Sequence, residues 1–191
     1  IDYSSNLNEI MVCWDDRRNS DRDIYCASVS LTSFIVNEIP ITANKIEAQV
    51  GPYVKATLTD SYLVVWEESV LYDSGDVFTG DPVYYYDIAM QEIRAGQEVY
   101  AQDVVVCDAF HDQRNPRIDM LSDSGDVSYL IYWEDMRSSG KEDLTNLVAQ
   151  QLRINDCNGT LGGDALFPEG ACNCNGDVVD QCGVCGGDDS S

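Results

Sequence analysis

The sequence predicts an all-β protein, and three observations lead to that prediction. Residues 10–29, 62–93 and 129–152 repeat one design: a β-branched and aromatic run that ends in Trp and an acidic residue, a polar loop, and a second alternating segment. Runs such as YLVVW and YLIYW, bounded by Asp, Ser and Gly, are typical of strands. No segment carries a sustained helical period of apolar residues with capping residues.

The tryptophans that end these runs, Trp14, Trp66 and Trp133, stand 52 and 67 residues apart. A repeat of about 50 residues indicates a propeller or a solenoid, in which one unit cannot bury its own apolar face. We expect the tryptophans to pack between units while the neighbouring acid pairs with an arginine. Three units are too few to close a ring, so the chain is expected to be either part of something larger or a subunit that a neighbour completes.

Each unit is predicted to be a blade of about four antiparallel strands. A strand that opens on proline, as at Gly51-Pro52 and Asn115-Pro116, precedes the Trp strand, because proline is tolerated at a strand's first residue. The returning strand and an outer strand follow, and residues 69–86 are an insertion in the second unit. The first unit is expected to lack its proline-led strand. The predicted blades cover about 1–47, 48–100 and 101–155, and residues 156–191 form a separate tail.

The charge balance narrows the class of partner. Acidic residues number 34 against 11 basic ones, and the formal net charge is −23. This argues against nucleic acid and against anionic membrane surfaces, and it favours cations as partners. No run approaches the roughly 18 apolar residues of a membrane helix, so membrane insertion is not expected. No signal peptide is recognised, and the start at Ile1 fits a processed or an internal end equally well.

The eight cysteines indicate an oxidising, extracellular compartment. Cys13 and Cys26 fall on facing strands of one predicted hairpin, so we expect a local disulfide. The tail holds an odd number of cysteines, so one of them must bond Cys107, a cysteine beyond Ser191 or another chain. Zinc competes with disulfides here, because a CxxC pair resembles half a zinc knuckle. The tail cysteines are Cys157, Cys172, Cys174, Cys182 and Cys185.

Two kinds of modification or ligand site are predicted from short motifs. Asn158 opens an Asn-Gly-Thr glycosylation sequon in a Gly-rich segment. Acidic residues cluster at Gly-rich turns, and the sequence DSGDV occurs twice. Calcium binds carboxylate and loop carbonyl oxygens, so these turns predict a structural Ca²⁺ as a cofactor. The candidate ligands are Asp73, Asp76, Asp123, Asp126, Asp177, Asp180, Asp188 and Asp189.

The repeats resemble a known family of domains. The pattern of a proline-led strand, then VVWEDxR, then a DIYAQ-like strand is similar to the extracellular β-propeller repeats of secreted bacterial surface proteins. Residues 14–18 and 133–137 match its Trp-acid-Arg part, whereas the second unit has Glu67-Glu68-Ser69 and no arginine. The tail resembles the DCNG…CGVCGG repeats that occur in tandem in secreted bacterial proteins as stalks or linkers. Both resemblances imply a cell-surface location.

No enzyme motif is recognised. The arginines are few, and His111 is the single histidine, so we expect no catalysis and a loop position for His111. The predicted function is that of a secreted structural or adhesive protein that self-assembles, with a filament formed when a neighbour completes the first unit. The alternative is a carbohydrate-binding propeller module that belongs to a larger surface protein. Residues 84–86, a run of three tyrosines, and the repeated tryptophans would then contact glycans.

Overall fold

A computed structural model describes residues 1–19, 21–42, 45, 47–58, 60–73, 83–99, 102–109, 111–123, 126–136 and 146–153. All regular secondary structure in these residues is β-strand, which confirms the prediction of an all-β fold. The strands form three antiparallel sheets, and none of the described residues lies in a helix that could span a bilayer. Numbered in chain order, the strands are β1 Asp2–Ser4, β2 Glu9–Asn19, β3 Asp21–Ser30, β4 Val36–Pro40, β5 Gln49–Ala56, β6 Ser61–Asp73, β7 Val83–Arg94, β8 Gln97–Glu98, β9 Val104–Cys107, β10 Gln113–Asp123, β11 Asp126–Asp135 and β12 Asn146–Arg153.

The first sheet has four strands in the order β1-β2-β3-β4. The β2–β3 hairpin pairs Cys13 with Cys26 and Trp14 with Tyr25. Strand β1 pairs with residues 9–11 at the start of β2. Residues 1–8 contain no proline, so the first unit lacks a proline-led strand as expected, yet the place beside the start of β2 is not empty. A strand is present, but it has three residues where its counterpart β5 has eight.

The second sheet has five strands, in the order β5-β6-β7-β8, with β9 also paired to β7. Four strands were predicted; the fifth arises because the outer strand is interrupted between Glu98 and Val104. The sheet thus extends to Cys107, beyond the boundary drawn near residue 100. The predicted insertion lengthens the hairpin, since β6 and β7 stay paired as far as Asp73 and Val83.

The first two sheets share one register. The disulfide-forming pair of the first hairpin, Cys13 and Cys26, corresponds to Val65 and Met90 in the second hairpin. Cys13 and Val65 each directly precede the tryptophan of their strand. Equivalent positions of the sequence repeat therefore occupy equivalent positions in the strand pairing of the two sheets.

Proline lies inside its strand and not at the first residue as predicted. Pro52 is within β5, where the pairing with β6 shifts between Val50 and Tyr53. The preceding residue, Gly51, has a φ of 64°, and Asn115 before Pro116 has a φ of 55°. A bulge removes the need for a ladder hydrogen bond from proline, so the strand can begin before it.

The core lies between the facing sides of the first and second sheets. Each large side chain buried there contributes about 1.5–3 kcal/mol. Alternation along the strands means that only one face of each sheet takes part. The buried members are Met11, Ile24, Cys26, Ile39 and Ile41 from the first sheet and its exit, and Val54, Tyr62, Val64, Trp66, Ala89 and Ile93 from the second.

The third sheet has the order β10-β11-β12 in the described part of the chain. Tyr129, Ile131 and Trp133 alternate along β11 and are all buried. By contacts, Ile1–Asp119 and Ile131–Gln150 form one compact unit, and Met120–Leu130 belongs to a second one.

Candidate assembly surface

The first sheet has an apolar face that points away from the second sheet. Because side chains alternate, the residues between those of the core share the opposite side of β2, β3 and β4. We call this side the outer face. Its apolar members are Ile10, Val12, Trp14, Tyr25, Ala27, Val29 and Val36.

The outer face corresponds, position by position, to a face of the second sheet that is covered. Trp66 takes the place of Trp14, and Val64 takes the place of Val12. Trp66 and Val64 are fully buried in the core against the first sheet. Trp14 and Val12 are only half-buried, although Tyr25 and Ala27 beside them on the outer face are buried. The outer face therefore leaves Trp14 and Val12 partly exposed, whereas their counterparts in the second sheet are fully covered.

Arg18 lies across the outer face. Its guanidinium carbon is 3.8 Å from the centroid of the Tyr25 ring, and that ring stacks on Trp14 at 6.3 Å. Arg18 also pairs with Asp16 at 2.6 Å and with Glu38. The hydrogen bond from Arg18 holds the pKa of Asp16 at about 2, against a smaller effect of burial, and the two acids raise the pKa of Arg18. The predicted pairing of acid and arginine is present in this unit.

The same acid also holds the tryptophan. The indole Nε1 of Trp14 donates to Asp16 at 3.1 Å, and the indole Nε1 of Trp133 donates to Asp135 at 3.3 Å. In the second unit the acid two residues after the tryptophan is Glu68, which pairs with Lys45 instead. The buried Nε1 of Trp66 has no hydrogen-bond partner among the described residues.

In the described part of the chain, one edge of β2 has no strand along residues 12–16. Strand β1 pairs only with residues 9–11, and the described residues place no strand beside residues 12–16 on that side. In the second sheet the equivalent residues 64–68 are paired by β5. An unpaired edge of this kind is a template for strand addition.

A disulfide joins Cys13 and Cys26 across the β2–β3 hairpin, with their Cα atoms 4.0 Å apart. It is the pair expected from the sequence. Cys107 lies in β9 opposite Ile88 and is half-buried. The tail cysteines Cys157, Cys172, Cys174, Cys182 and Cys185 lie outside the described residues, as does Asn158.

The candidate calcium ligands are only partly within the described chain. Asp73 ends β6, Asp123 ends β10 and Asp126 begins β11, so the two DSGDV copies follow different strands of their units. The remaining candidates, Asp76, Asp177, Asp180, Asp188 and Asp189, lie outside the described residues. Among the described residues, no three His, Cys, Asp or Glu side chains are grouped so as to hold a metal ion.

The sequence reasoning missed an acidic cluster around one lysine in the second sheet. Lys45, in the connection between the sheets, pairs with Glu68 and with Asp103 at 2.7 Å. Burial lowers the pKa of Lys45, but the hydrogen bonds that Lys45 donates to Asp103 and Glu68 outweigh this effect, and the pKa is raised. Nearby, burial raises the pKa of Asp87 to about 6, with further contributions from Asp108 and Glu68. No signal identified this lysine, because its partners are distant in the sequence.

A second missed cluster centres on Glu67, which is buried. Arg114 donates to its carboxylate at 2.9 Å, and so does the backbone N–H of Asn115. Arg114 also stacks over the ring of Tyr86, with its guanidinium carbon 3.5 Å from the ring centroid. Burial lowers the pKa of Arg114, but Glu67 and Asp112 outweigh it and the pKa is raised. The acid that follows Trp66 in the second unit therefore pairs with an arginine, which lies at the start of β10.

A repeated glutamine was also missed. Gln49 and Gln113 each precede their Gly-Pro or Asn-Pro pair by two residues, and both are fully buried. Each side-chain amide donates to backbone carbonyls of the segment before its strand. The repeat motif therefore reads Gln-x-(Gly/Asn)-Pro, and it could have been found by aligning the two prolines.

The remaining candidates have simple surroundings. His111 has a φ of 76° in the segment before β10, and its ring meets the edge of Tyr85 at 5.5 Å. Tyr84 is half-exposed, whereas Trp66 and Trp133 are buried. Of the three repeated tryptophans, Trp14 is the one that solvent reaches.

Comparisons of the chain with protein-family models, with curated proteins and with solved structures find no match.

Proposed function

We propose that this chain is an extracellular structural or adhesive protein that assembles with copies of itself through the outer face and the open edge of β2. The single observation that carries the proposal is the correspondence between Trp14 and Trp66. The Trp66 face is buried by a neighbouring sheet, whereas Trp14 and Val12 on the same face of the first sheet are only half-buried. The contact within the chain is therefore a template for a contact between chains.

The extracellular location is supported by the disulfide between Cys13 and Cys26, since such bonds persist in oxidising compartments. In the proposed array each sheet covers one face of the next, as blades do in propellers and repeats do in solenoids. The outer face of one copy would contact a different surface of the next copy. Repetition of such a contact builds a filament, unless the rotation between neighbouring copies closes a ring. Calcium bound by the acidic turns of the sequence would neutralise part of the net charge of −23 between copies.

Light scattering and negative-stain microscopy of the whole chain, with calcium and with a chelator, test this proposal. We expect large assemblies whose size falls when Val12→Glu places a charge on the outer face. Val105→Glu is the matched control, because Val105 is an exposed valine on strand β9. A chain that stays monomeric with and without calcium at high concentration would disprove the assembly.

A competing peptide keeps the test independent of the folding of Val12→Glu. A peptide of residues 47–58 contains β5, which pairs with the equivalent strand in the second sheet. We expect it to inhibit assembly by occupying the edge of β2, whereas a scrambled peptide should not. Equal inhibition by both peptides would show that the edge of β2 is not a specific contact in the assembly.

Glycan binding is the second candidate, and the exposed side of Trp14 favours it. An aromatic ring beside Arg18, Asp16 and Glu38 combines a stacking surface with hydrogen-bonding groups. Glycan-array binding that is lost in Trp14→Ala or Tyr84→Ala, in a chain that remains monomeric, would favour this reading over assembly.

A further inference from the structure

Lys45 lies between two carboxylates that reach it from separate parts of the second sheet. Its ammonium pairs with Glu68 of β6 and with Asp103, the residue before β9. The side chain of Glu68 is 16 % exposed and that of Asp103 is 9 % exposed. A lysine enclosed by two largely buried acids is unlike the exposed ion pairs that are common on protein surfaces. We call these three residues the Lys45 triad.

The other lysine in the described part of the chain has a simpler contact. Lys55 pairs with Asp2 at 3.5 Å, and the same oxygen of Asp2 accepts the backbone N–H of Ala56. Among the described residues, no second acid forms an ion pair with Lys55. Lys55 therefore serves as an internal control for what a lysine paired with one acid does in this protein.

The carboxyl group of Asp103 is held close to the lysine nitrogen. Nζ of Lys45 is 2.7 Å from Oδ2 of Asp103. A carbon–oxygen double bond is about 1.2 Å long, so Nζ lies within about 4 Å of the carboxyl carbon. The other oxygen, Oδ1, accepts from Nε2 of Gln91 at 3.4 Å, and Gln91 is fully buried. An amine and a carboxyl group are thus held near the distance from which they can react.

We propose that Lys45 and Asp103 join in an intramolecular amide bond, which is an isopeptide crosslink. The lysine nitrogen attacks the carboxyl carbon, so a C–N bond forms, the C–OH bond of the protonated acid breaks, and one water leaves. The reaction is a condensation and needs no oxidant, reductant or cofactor. A lysine amine is an established nucleophile toward carbonyl carbon in proteins.

The proton transfers are assigned to the acids that contact the lysine. One ammonium proton moves to Asp103, which makes the amine a nucleophile and the acid a source of hydroxyl. Glu68, which contacts the same nitrogen, takes the second proton after the attack and returns it to the departing hydroxyl. The Gln91 N–H stabilises the negative charge that develops on Oδ1. Glu68 ends the reaction as a carboxylate, as it began.

The ion pair is the resting state of the triad. Burial lowers the pKa of Lys45, but the hydrogen bonds to Asp103 and Glu68 outweigh it, and the pKa is raised. The uncharged amine is therefore a minor species, and attack through it is slow. The attack has to happen only once in each chain, since the amide that forms is resistant to hydrolysis. We expect the linked fraction to grow with time after folding.

The bond would join two segments that strand pairing leaves apart. Lys45 belongs to the connection between the first and second sheets, and Asp103 lies where the outer strand is interrupted between β8 and β9. A covalent link across this span restricts the unfolded chain as a disulfide does, and it does not depend on redox conditions. The inference is independent of the proposed self-assembly, so either one can fail alone.

Peptide mass spectrometry of the reduced and alkylated whole chain tests the bond directly. Trypsin does not cut after an acylated lysine, so we expect residues 23–55 joined to residues 95–114, one water lighter than the two peptides together. Fragmentation should place the bond between Lys45 and Asp103. Recovery from the folded protein of only separate peptides, with cleavage after Lys45, would overturn the proposal. A bond from Lys45 to Glu68 would overturn it as well.

Matched variants separate the crosslink from the ion pair. Lys45→Arg keeps a positive charge between the acids but should give no crosslink, and neither should Asp103→Ala. Glu68→Gln should slow crosslinking by about 100-fold, measured as the linked fraction against time after synthesis. Lys55→Arg is the control and should crosslink as the wild type does. A wild-type rate in Glu68→Gln would overturn the proton transfer assigned to Glu68, and the wild-type digest does not depend on how any variant folds.

Discussion

Asp23 in the first sheet and Asp87 in the second occupy the same register position. Each faces the acid that lies two residues after the tryptophan, Asp16 for Asp23 and Glu68 for Asp87. Burial raises the pKa of both, and for Asp87 the value is about 6. The repeat therefore places two carboxylates side by side in each hairpin, and neutralising one of them should favour the folded state.

The pH dependence of stability follows from Asp87. Its folded pKa of about 6 is above the value near 4 of an unfolded aspartate, so the folded state binds the proton more tightly. Stability should therefore increase as the pH falls from 7.5 to 5, by on the order of 1 kcal/mol after allowance for partial exposure. Thermal melts should show a smaller rise for Asp87→Asn than for the wild type. Glu47→Gln, at an exposed position, should behave like the wild type.

The disulfide should stabilise the first sheet. Replacing Cys13 and Cys26 with alanine should lower the free energy of unfolding by about 2–3 kcal/mol, since the bond closes a loop of 13 residues. Cys13→Val with Cys26→Met copies the pair that the second sheet uses at this position and should lose less. Urea unfolding followed by Trp fluorescence measures both. Equal loss in the two variants would contradict the register match.

The tryptophans should differ in their sensitivity to loss of the indole N–H. Trp133→Phe removes a hydrogen bond to Asp135, whereas Trp66→Phe removes an N–H that is buried without a partner in the described chain. Because an unsatisfied buried donor is unfavourable, Trp66→Phe should be less destabilising, by about 1 kcal/mol. Denaturant midpoints compare the two variants. A larger loss for Trp66→Phe would show that packing volume outweighs this difference.

Arg114 should be important for the buried carboxylate of Glu67. Arg114→Met leaves that carboxylate with the Asn115 N–H but without its counter-charge, and we expect a loss of about 2 kcal/mol. Glu67→Gln in the same background should recover part of it, because the buried charge is then gone. A double-mutant cycle on thermal stability gives the coupling. Coupling near zero would mean that the ring of Tyr86, and not Glu67, holds Arg114.

The sheets could be predicted from the sequence because the patterns that indicate their strands are local. Alternation and the repeated tryptophans indicate the strands, and the Cys13–Cys26 pair follows from counting residues around one hairpin. Strand β1 could not be predicted, since three residues carry no periodicity. The Lys45 and Glu67 clusters could not be predicted either, because each depends on which loops the sheets bring together. The outer face could be recognised only from the strand pairing, because the shared register shows that Trp14 and Trp66 lie on equivalent sides of their sheets.

The shared register of the first two sheets bears on how such a chain can grow. Each connection between sheets falls at the end of one unit of pairing, so a duplicated segment that includes β5 to β9 would carry a complete sheet with it. Its tryptophan side would match the surface already present on the preceding unit. Lengthening by gene duplication would then need no new core, only another copy of a contact that the chain already makes.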